Sequence, residues 1–126
     1  MATILIIDDS ITVRFELSGI LTEAGHVVVE AGNGDQALER FRETPEIALI
    51  ICDYNMPGGL NGLDTLEIIY AECGEKRPAS FMLSTDASAT LKDRGRKIGL
   101  TGWMLKPFNG DNVVKVVTEV LNRAGA

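Results

Sequence analysis

Leu49-Ile50-Ile51-Cys52-Asp53-Tyr54-Asn55-Met56-Pro57 is the stretch from which the fold of this chain can be predicted. A short apolar run ends abruptly at Asp53, and a glycine-rich loop follows at 58–62. This pattern predicts a strand that is buried on both faces, as in a parallel sheet. Ligands of open α/β sheets bind just beyond the carboxyl ends of the strands, so Asp53 would lie where a ligand binds. Taken alone, the aspartate could equally cap a helix or a turn.

Two other apolar runs also end in charged residues. Ile4–Ile7 is followed by Asp8-Asp9, and Trp103–Leu105 is followed by Lys106-Pro107. If these runs are parallel strands, three carboxylates and one ammonium group meet at the same edge of the sheet.

The remaining sequence alternates between strand and helix patterns. Strands are predicted at 3–7, 27–29, 47–52, 81–83 and 102–105, and helices at about 10–24, 37–41, 63–73, 88–99 and from 111 onward. Five βα repeats with apolar, non-alternating strands predict a flavodoxin-like (βα)5 three-layer α/β sandwich, with a parallel sheet in the order 2-1-3-4-5. The helix at 88–99 should be weakly anchored, because Leu91 and Ile98 are its only large apolar residues.

Local signals suggest where several elements begin. Asp9 or Ser10 is expected to cap the first helix, and Asp111 the last. Asn33-Gly34 reads as a turn. Ser84-Thr85 ends the fourth strand and can also cap the helix that follows.

Composition narrows the function further. The chain has 126 residues and is 45% hydrophobic, which fits a single soluble domain, residues 1–126. A net charge of −6 argues against nucleic-acid binding, and no apolar run approaches the ~20 residues of a membrane span. No secretory signal opens the chain, so Cys52 and Cys73 are expected to be reduced thiols of a cytoplasmic protein. His26, the only histidine, is expected to be a surface residue.

Three carboxylates in one crevice require a compensating charge. In the 2-1-3-4-5 order the first and third strands are neighbours, so Asp8, Asp9 and Asp53 would repel one another. Mg²⁺ suits such a site, because it prefers oxygen ligands and takes few of them from the protein. Lys106 and the hydroxyl of Ser84 would complete a cradle for a phosphoryl group, with an aspartate as a possible nucleophile.

This set of residues resembles the receiver domain of two-component response regulators, and more narrowly the stand-alone, CheY-type chemotaxis regulators. The residues that carry the resemblance, which spans essentially the whole chain, are Asp8-Asp9, Asp53, Asn55-Met56-Pro57, Ser84 and Lys106-Pro107-Phe108. It implies that Asp53 accepts a phosphoryl group from a histidine kinase. It also implies that Asp8 and Asp9, with Asp53 and the backbone carbonyl of Asn55, hold Mg²⁺.

Other roles follow from the same resemblance. Ser84 matches the hydroxyl that binds the phosphoryl group, Lys106 the lysine that pairs with it, and Pro107 the proline of a cis peptide. Trp103 matches the aromatic switch residue, although the residue pattern alone is equally compatible with simple packing. Partners would bind the face formed by the fourth helix, the fifth strand and the fifth helix. The domain would be a monomer or a weak dimer without an output domain, catalysing only its own phosphorylation and dephosphorylation.

The sequence departs from the family pattern beside the site. Four residues, 58–61, separate Pro57 from Gly62, where the family usually has three, so this loop should be looser. Thr85 stands where a smaller residue is common, and it can narrow access to the phosphoryl group. Asn55 and Asp86 occupy positions that influence dephosphorylation in the family.

Three other functions stay open. A phosphate sink or phosphorelay intermediate would use the same site, and a constitutive interaction scaffold would never be phosphorylated. A flavin-binding electron carrier would share the fold, but the acids after the first strand would repel the flavin phosphate.

Overall fold

The computed structural model describes residues 1–125 and forms a five-stranded parallel sheet between two layers of helices. The strands are β1 (Thr3–Ile7), β2 (Val27–Ala31), β3 (Ile47–Cys52), β4 (Ala79–Ser84) and β5 (Gly102–Leu105). The helices are α1 (Ile11–Glu23), α2 (Gly34–Glu43), α3 (Gly62–Cys73), α4 (Ala89–Ile98) and α5 (Gly110–Gly125). The strand order is β2-β1-β3-β4-β5, which confirms the predicted flavodoxin-like fold.

The apolar strands explain the three layers, because successive side chains of a strand point to opposite faces. Leu5 and Ile7 of β1 pack into a core with α2 and α3, whereas Ile4 and Ile6 pack into a second core with α1 and α5. All four side chains are fully buried. A strand with no polar alternation is therefore what this central position requires.

Helix α4 is the least anchored of the five helices, as predicted. Gly95 is its only buried residue, and Leu91 and Ile98 pack against the core while partly exposed. An added Cβ at Gly95 would lie 2.6 Å from a methyl group of Leu100, so this glycine leaves room for the Leu100 side chain in the connection between α4 and β5. None of the helices within residues 1–125 is both long and apolar enough to cross a membrane.

Three predictions of helix starts were wrong in detail. Asn33-Gly34 is the start of α2 rather than a separate turn, because Asn33 caps the helix by accepting the N–H of Gln36. The cap of α5 is Asn109, which accepts the N–H of Asn112, so Asp111 already lies in the first helical turn. Helix α4 is capped by Ser88 rather than Ser84 or Thr85, because it starts at Ala89, beyond the reach of either position. The expected cap at Ser10 is confirmed.

Gly62, the first residue of α3, packs closely against the backbone at the end of β3, and a side chain there should destabilise the fold. An added Cβ at Gly62 would collide with the backbone carbonyl of Asp53 and lie 3.0 Å from the sulfur of Met82, whereas one at Gly59 would meet nothing within 4 Å. We predict that Gly62→Ala lowers the free energy of unfolding by about 2–3 kcal/mol. Gly59→Ala should leave it unchanged within about 0.5 kcal/mol. Urea denaturation measures both, and equal stability of the two variants would contradict this account.

Candidate functional site

Backbone pairing brings the three charged strand ends together. Ile7 pairs with Cys52 across β1 and β3, so the residues that follow them, Asp8 and Asp53, are neighbours. The N–H of Asp53 extends this ladder by donating to the carbonyl of Ile7 at 2.8 Å. At the other side of the sheet, the N–H of Lys106 donates to the carbonyl of Ser84 at 3.1 Å. The predicted site residues are therefore placed by the sheet itself.

Three carboxylates converge at this edge. Asp8, Asp9 and Asp53 each offer one oxygen, and these oxygens lie within 4.8 Å of one another. Asp8 and Asp53 are buried, with 2% and 7% of their surface exposed, while Asp9 is exposed. No other cluster of three such ligands was found among residues 1–125.

Lys106 compensates part of this charge. Its Nζ lies 2.8 Å from Oδ2 of Asp8 and 3.4 Å from Oδ2 of Asp53, and only 17% of its side chain is exposed. Burial alone would lower the pKa of Lys106, but the hydrogen bond and charge of Asp8, together with Asp53, outweigh burial and raise it. The lysine is therefore a permanent cation at the site.

For Asp53, by contrast, burial and a neighbouring negative charge outweigh the attraction of Lys106. Burial, followed by the charge of Asp8, raises the pKa of Asp53, and Lys106 only partly opposes this shift. An ionised Asp53 is thus disfavoured until another positive charge approaches. A cation bound next to Asp53 would therefore favour its ionised form.

The donor set fits Mg²⁺. Three carboxylate oxygens of suitable spacing are hard ligands, they leave room for water and for a phosphate oxygen, and their repulsion is only partly relieved by Lys106. Asn55, the predicted fourth ligand through its backbone carbonyl, lies two residues beyond Asp53 in the exposed loop after β3.

Cys52 is not a second nucleophile. It is fully buried, and burial, followed by the charges of Asp53 and Asp8, raises the pKa of its thiol well above the ordinary value. Its sulfur donates to the carbonyl of Asp53 at 3.3 Å. Both cysteines are free, as predicted.

Ser84 and Trp103 meet at Asp86, although neither is adjacent to it in sequence. Ser84 is the last residue of β4 and fully buried, and its Oγ accepts the N–H of Asp86 at 3.2 Å. Trp103 on β5 donates its indole N–H to the carbonyl of Asp86 at 3.1 Å. The side chain of Trp103 is half-buried, so it is neither a fully buried core residue nor a fully exposed one. We call Ser84, Asp86 and Trp103 the Asp86 clasp.

The loop after β3 is fixed at its far end. Asn61 caps α3 in a capping box with Asp64, and Leu60 packs over Gly34, the first residue of α2. The N–H of Gly62 donates to the carbonyl of Tyr54 at 2.9 Å. The peptide bond between Lys106 and Pro107 is cis, as predicted.

Sequence reasoning missed one residue next to the acids. The guanidinium of Arg14 on α1 donates to the backbone carbonyl of Asp8 at 2.5 Å and to Glu30 at 3.2 Å. Its position one turn after the cap of α1 carried no charge pattern that would have distinguished it from an exposed arginine. His26 was expected on the surface, but it is half-buried and its Nδ1 accepts the N–H of Ala2.

A parallel 2-1-3-4-5 sheet with such an acidic edge is the arrangement of the receiver domains of response regulators. The sequence model of the response regulator receiver domain matches residues 4–118, and the chain belongs to this family. The resemblance found in the sequence is therefore confirmed. Receiver domains are signalling proteins rather than classical enzymes.

The relatives of this chain include chemotaxis proteins that are covered over nearly their whole length. A probable chemotaxis protein CheY of Rhizobium etli is 30% identical, and the alignment covers 93% of this chain and 90% of the relative. Protein PilH of Pseudomonas aeruginosa is 31% identical, with 96% and 98% covered. The structure of chemotaxis protein CheY4 of Vibrio cholerae superposes with a TM-score of 0.89 at 35% identity, covering 96% of this chain and 99% of that one.

The electrostatics of Asp53 predict a stability change. Because its pKa is raised in the folded state, the protonated form stabilises the fold at low pH, and this contribution is lost as pH rises through the raised pKa. Asp53→Asn should therefore be more stable than the wild type at pH 7 without divalent cations, by about 1 kcal/mol. The difference should shrink as pH falls and Asp53 becomes protonated.

Thermal unfolding of both proteins between pH 4 and 8 in EDTA measures this difference. Asp35→Asn, at an exposed acid in the first turn of α2, is the matched control and should not be stabilised. A wild type more stable than Asp53→Asn at neutral pH would contradict a raised pKa of Asp53.

Proposed function

We propose that the chain is a single-domain response regulator that works as a phosphorylation-dependent switch in chemotaxis or related signalling. Asp53 accepts the phosphoryl group of a phosphohistidine on a histidine kinase. The observation that carries the proposal is the buried Asp53 carboxylate, which faces both Lys106 and two further acids.

The transfer is a substitution at phosphorus. A carboxylate oxygen of Asp53 forms a P–O bond while the P–N bond to the donor histidine breaks, and the electron pair of that bond leaves with the imidazole. Lys106 can follow the developing charge, because its Nζ already lies between Asp8 and Asp53. Asp8, Asp9, Asp53 and the backbone of Asn55 would hold Mg²⁺. When bound, the ion supplies positive charge to the phosphoryl oxygens.

Phosphorylation would be read through the Asp86 clasp. The Ser84 hydroxyl now accepts from Asp86, and in the phosphorylated state it would turn to donate to a phosphoryl oxygen. The backbone of Asp86 would then lose one of the two hydrogen bonds that hold it. The carbonyl of Asp86, which accepts the indole N–H of Trp103, would no longer be fixed in place. The shift between two states requires only a few kcal/mol.

The output surface is the face formed by α4, β5 and α5. Helix α4 can move because few apolar contacts hold it, and β5 is an edge strand paired only with β4. A groove of about 190 Å³ between Lys92, Arg96 and Trp103 opens on this face. The downstream partner would bind there, with the switch in the cytoplasm as a monomer or weak dimer. No nucleic-acid partner is proposed, because the chain has a net charge of −6.

Phosphorylation of Asp53 should be visible as an increase in protein mass. Incubation with acetyl phosphate and Mg²⁺ should add one phosphoryl group to the intact protein, with release of acetate, as measured by mass spectrometry. EDTA and Asp53→Asn should each abolish the adduct, while the control Asp35→Asn should retain it. No adduct on a folded wild type would overturn the proposal in favour of a constitutive scaffold, and an adduct on Asp53→Asn would place the acceptor elsewhere.

A conformational response to phosphorylation should be visible in the fluorescence of Trp103. Trp103 is the only tryptophan, so its fluorescence reports on the clasp alone. Its emission should change with the same time course as the mass adduct. Ser84→Ala should accept the phosphoryl group, more slowly, but lose most of the emission change. Full phosphorylation of the wild type without any change in emission would show that the clasp does not respond, as expected for a phosphate sink without an output face.

A further inference from the structure

Arg14 is bound to the backbone of the acidic segment instead of extending into solvent. Only 19% of its side chain is exposed. One nitrogen, Nη1, donates to the carbonyl of Asp8 at 2.5 Å, and Nε donates to Oε1 of Glu30 at 3.2 Å. Charge-assisted hydrogen bonds of this kind are about twice as strong as neutral ones. The arginine thus ties α1, the end of β1 and the end of β2 to one another.

The carbonyl of Asp8 belongs to the peptide unit that leads into Asp9. The other groups of Asp8 are already held, since its N–H donates to Ala31 and its carboxylate binds Lys106 and the N–H of Ser10. Asp9 has no such support, because its carboxylate makes no hydrogen bond to residues 1–125. The direction in which Asp9 leaves the strand therefore depends on the backbone around it, and Arg14 holds the peptide on its amino side.

Gly32 and Glu30 hold the guanidinium of Arg14 in this position. An added Cβ at Gly32 would lie 3.3 Å from Nη1, so a side chain there would press on the guanidinium. Glu30 pairs with the guanidinium and offsets its charge. An uncompensated cation in this place would repel a metal ion; the pair keeps the hydrogen bond and reduces that repulsion.

We propose that Arg14 is a positioning residue that orients the Asp8–Asp9 peptide for binding of a divalent cation. This inference rests on the proposed function, because it assumes that the acidic site binds Mg²⁺. It assigns a role to a residue outside the ligand set, acting through the backbone and not through contact with the ion.

The test is Mg²⁺ affinity, followed from the amide resonances of residues 8–10 in an NMR titration. Arg14→Met keeps the length of the side chain but removes both hydrogen bonds, and it should raise the Kd for Mg²⁺ about tenfold. Electrostatics alone predicts the opposite sign, since loss of a nearby cation should tighten binding. Arg14→Lys keeps the charge but lacks the fork that reaches both acceptors, so it should also weaken binding.

Arg42→Met is the matched control. Arg42 also pairs with a glutamate, Glu72, but on α2 and α3 away from the acids, and its loss should not change the Kd. Tighter or unchanged binding in Arg14→Met, or full rescue by Arg14→Lys, would overturn the inference. If Arg14→Met does not fold, Arg14→Lys alone decides between positioning and charge. A wild type that binds no Mg²⁺ would instead refute the proposed function itself.

Discussion

The ion pair of Lys106 with Asp8 is the contact on which the rest of the site depends. It joins residues 98 positions apart in the chain, so it forms only when β1, β3, β4 and β5 are in register. It also permits the proximity of Asp8, Asp9 and Asp53, because three carboxylates at this spacing would otherwise repel one another strongly. The lysine supplies one positive charge against three carboxylates, and the remaining negative charge favours binding of a cation at this edge.

The same remaining negative charge explains why stability and function oppose each other here. Asp53 is buried beside a like charge, which costs folding free energy that an amide would not cost. Burial of apolar side chains on both faces of the sheet offsets that cost, since β1 and β3 are buried almost completely. The well-packed sheet can therefore tolerate an unfavourable buried charge at its edge. Helix α4, which has few apolar contacts, can move more easily than the rest of the fold.

The sequence was sufficient for the fold and for the charged strand ends, because both follow from simple periodic rules. Asp8, Asp53 and Lys106 each end an apolar run, and parallel strands must bring such ends together. The hydroxyl of Ser84 could also be placed at this edge from the strand pattern, whereas the proposed roles of Asn55 and Trp103 came only from the family resemblance. Arg14 was missed because its role depends on the direction in which a helix-surface side chain turns. That choice depends on Glu30 and on the space at Gly32, neither of which is local in sequence.

The loop after β3 lies apart from the acidic site for most of its length. Gly58 and Gly59 are exposed, and an added Cβ at either would meet nothing within 4 Å, so a residue more than the family pattern, as the sequence predicts, would lie where the chain has room. Beyond it, Leu60 packs on Gly34, and the capping box of Asn61 fixes the start of α3. The backbone is thus fixed again before it returns to Asp53. A change in loop length should therefore alter the shape offered to a partner while leaving the acidic crevice in place.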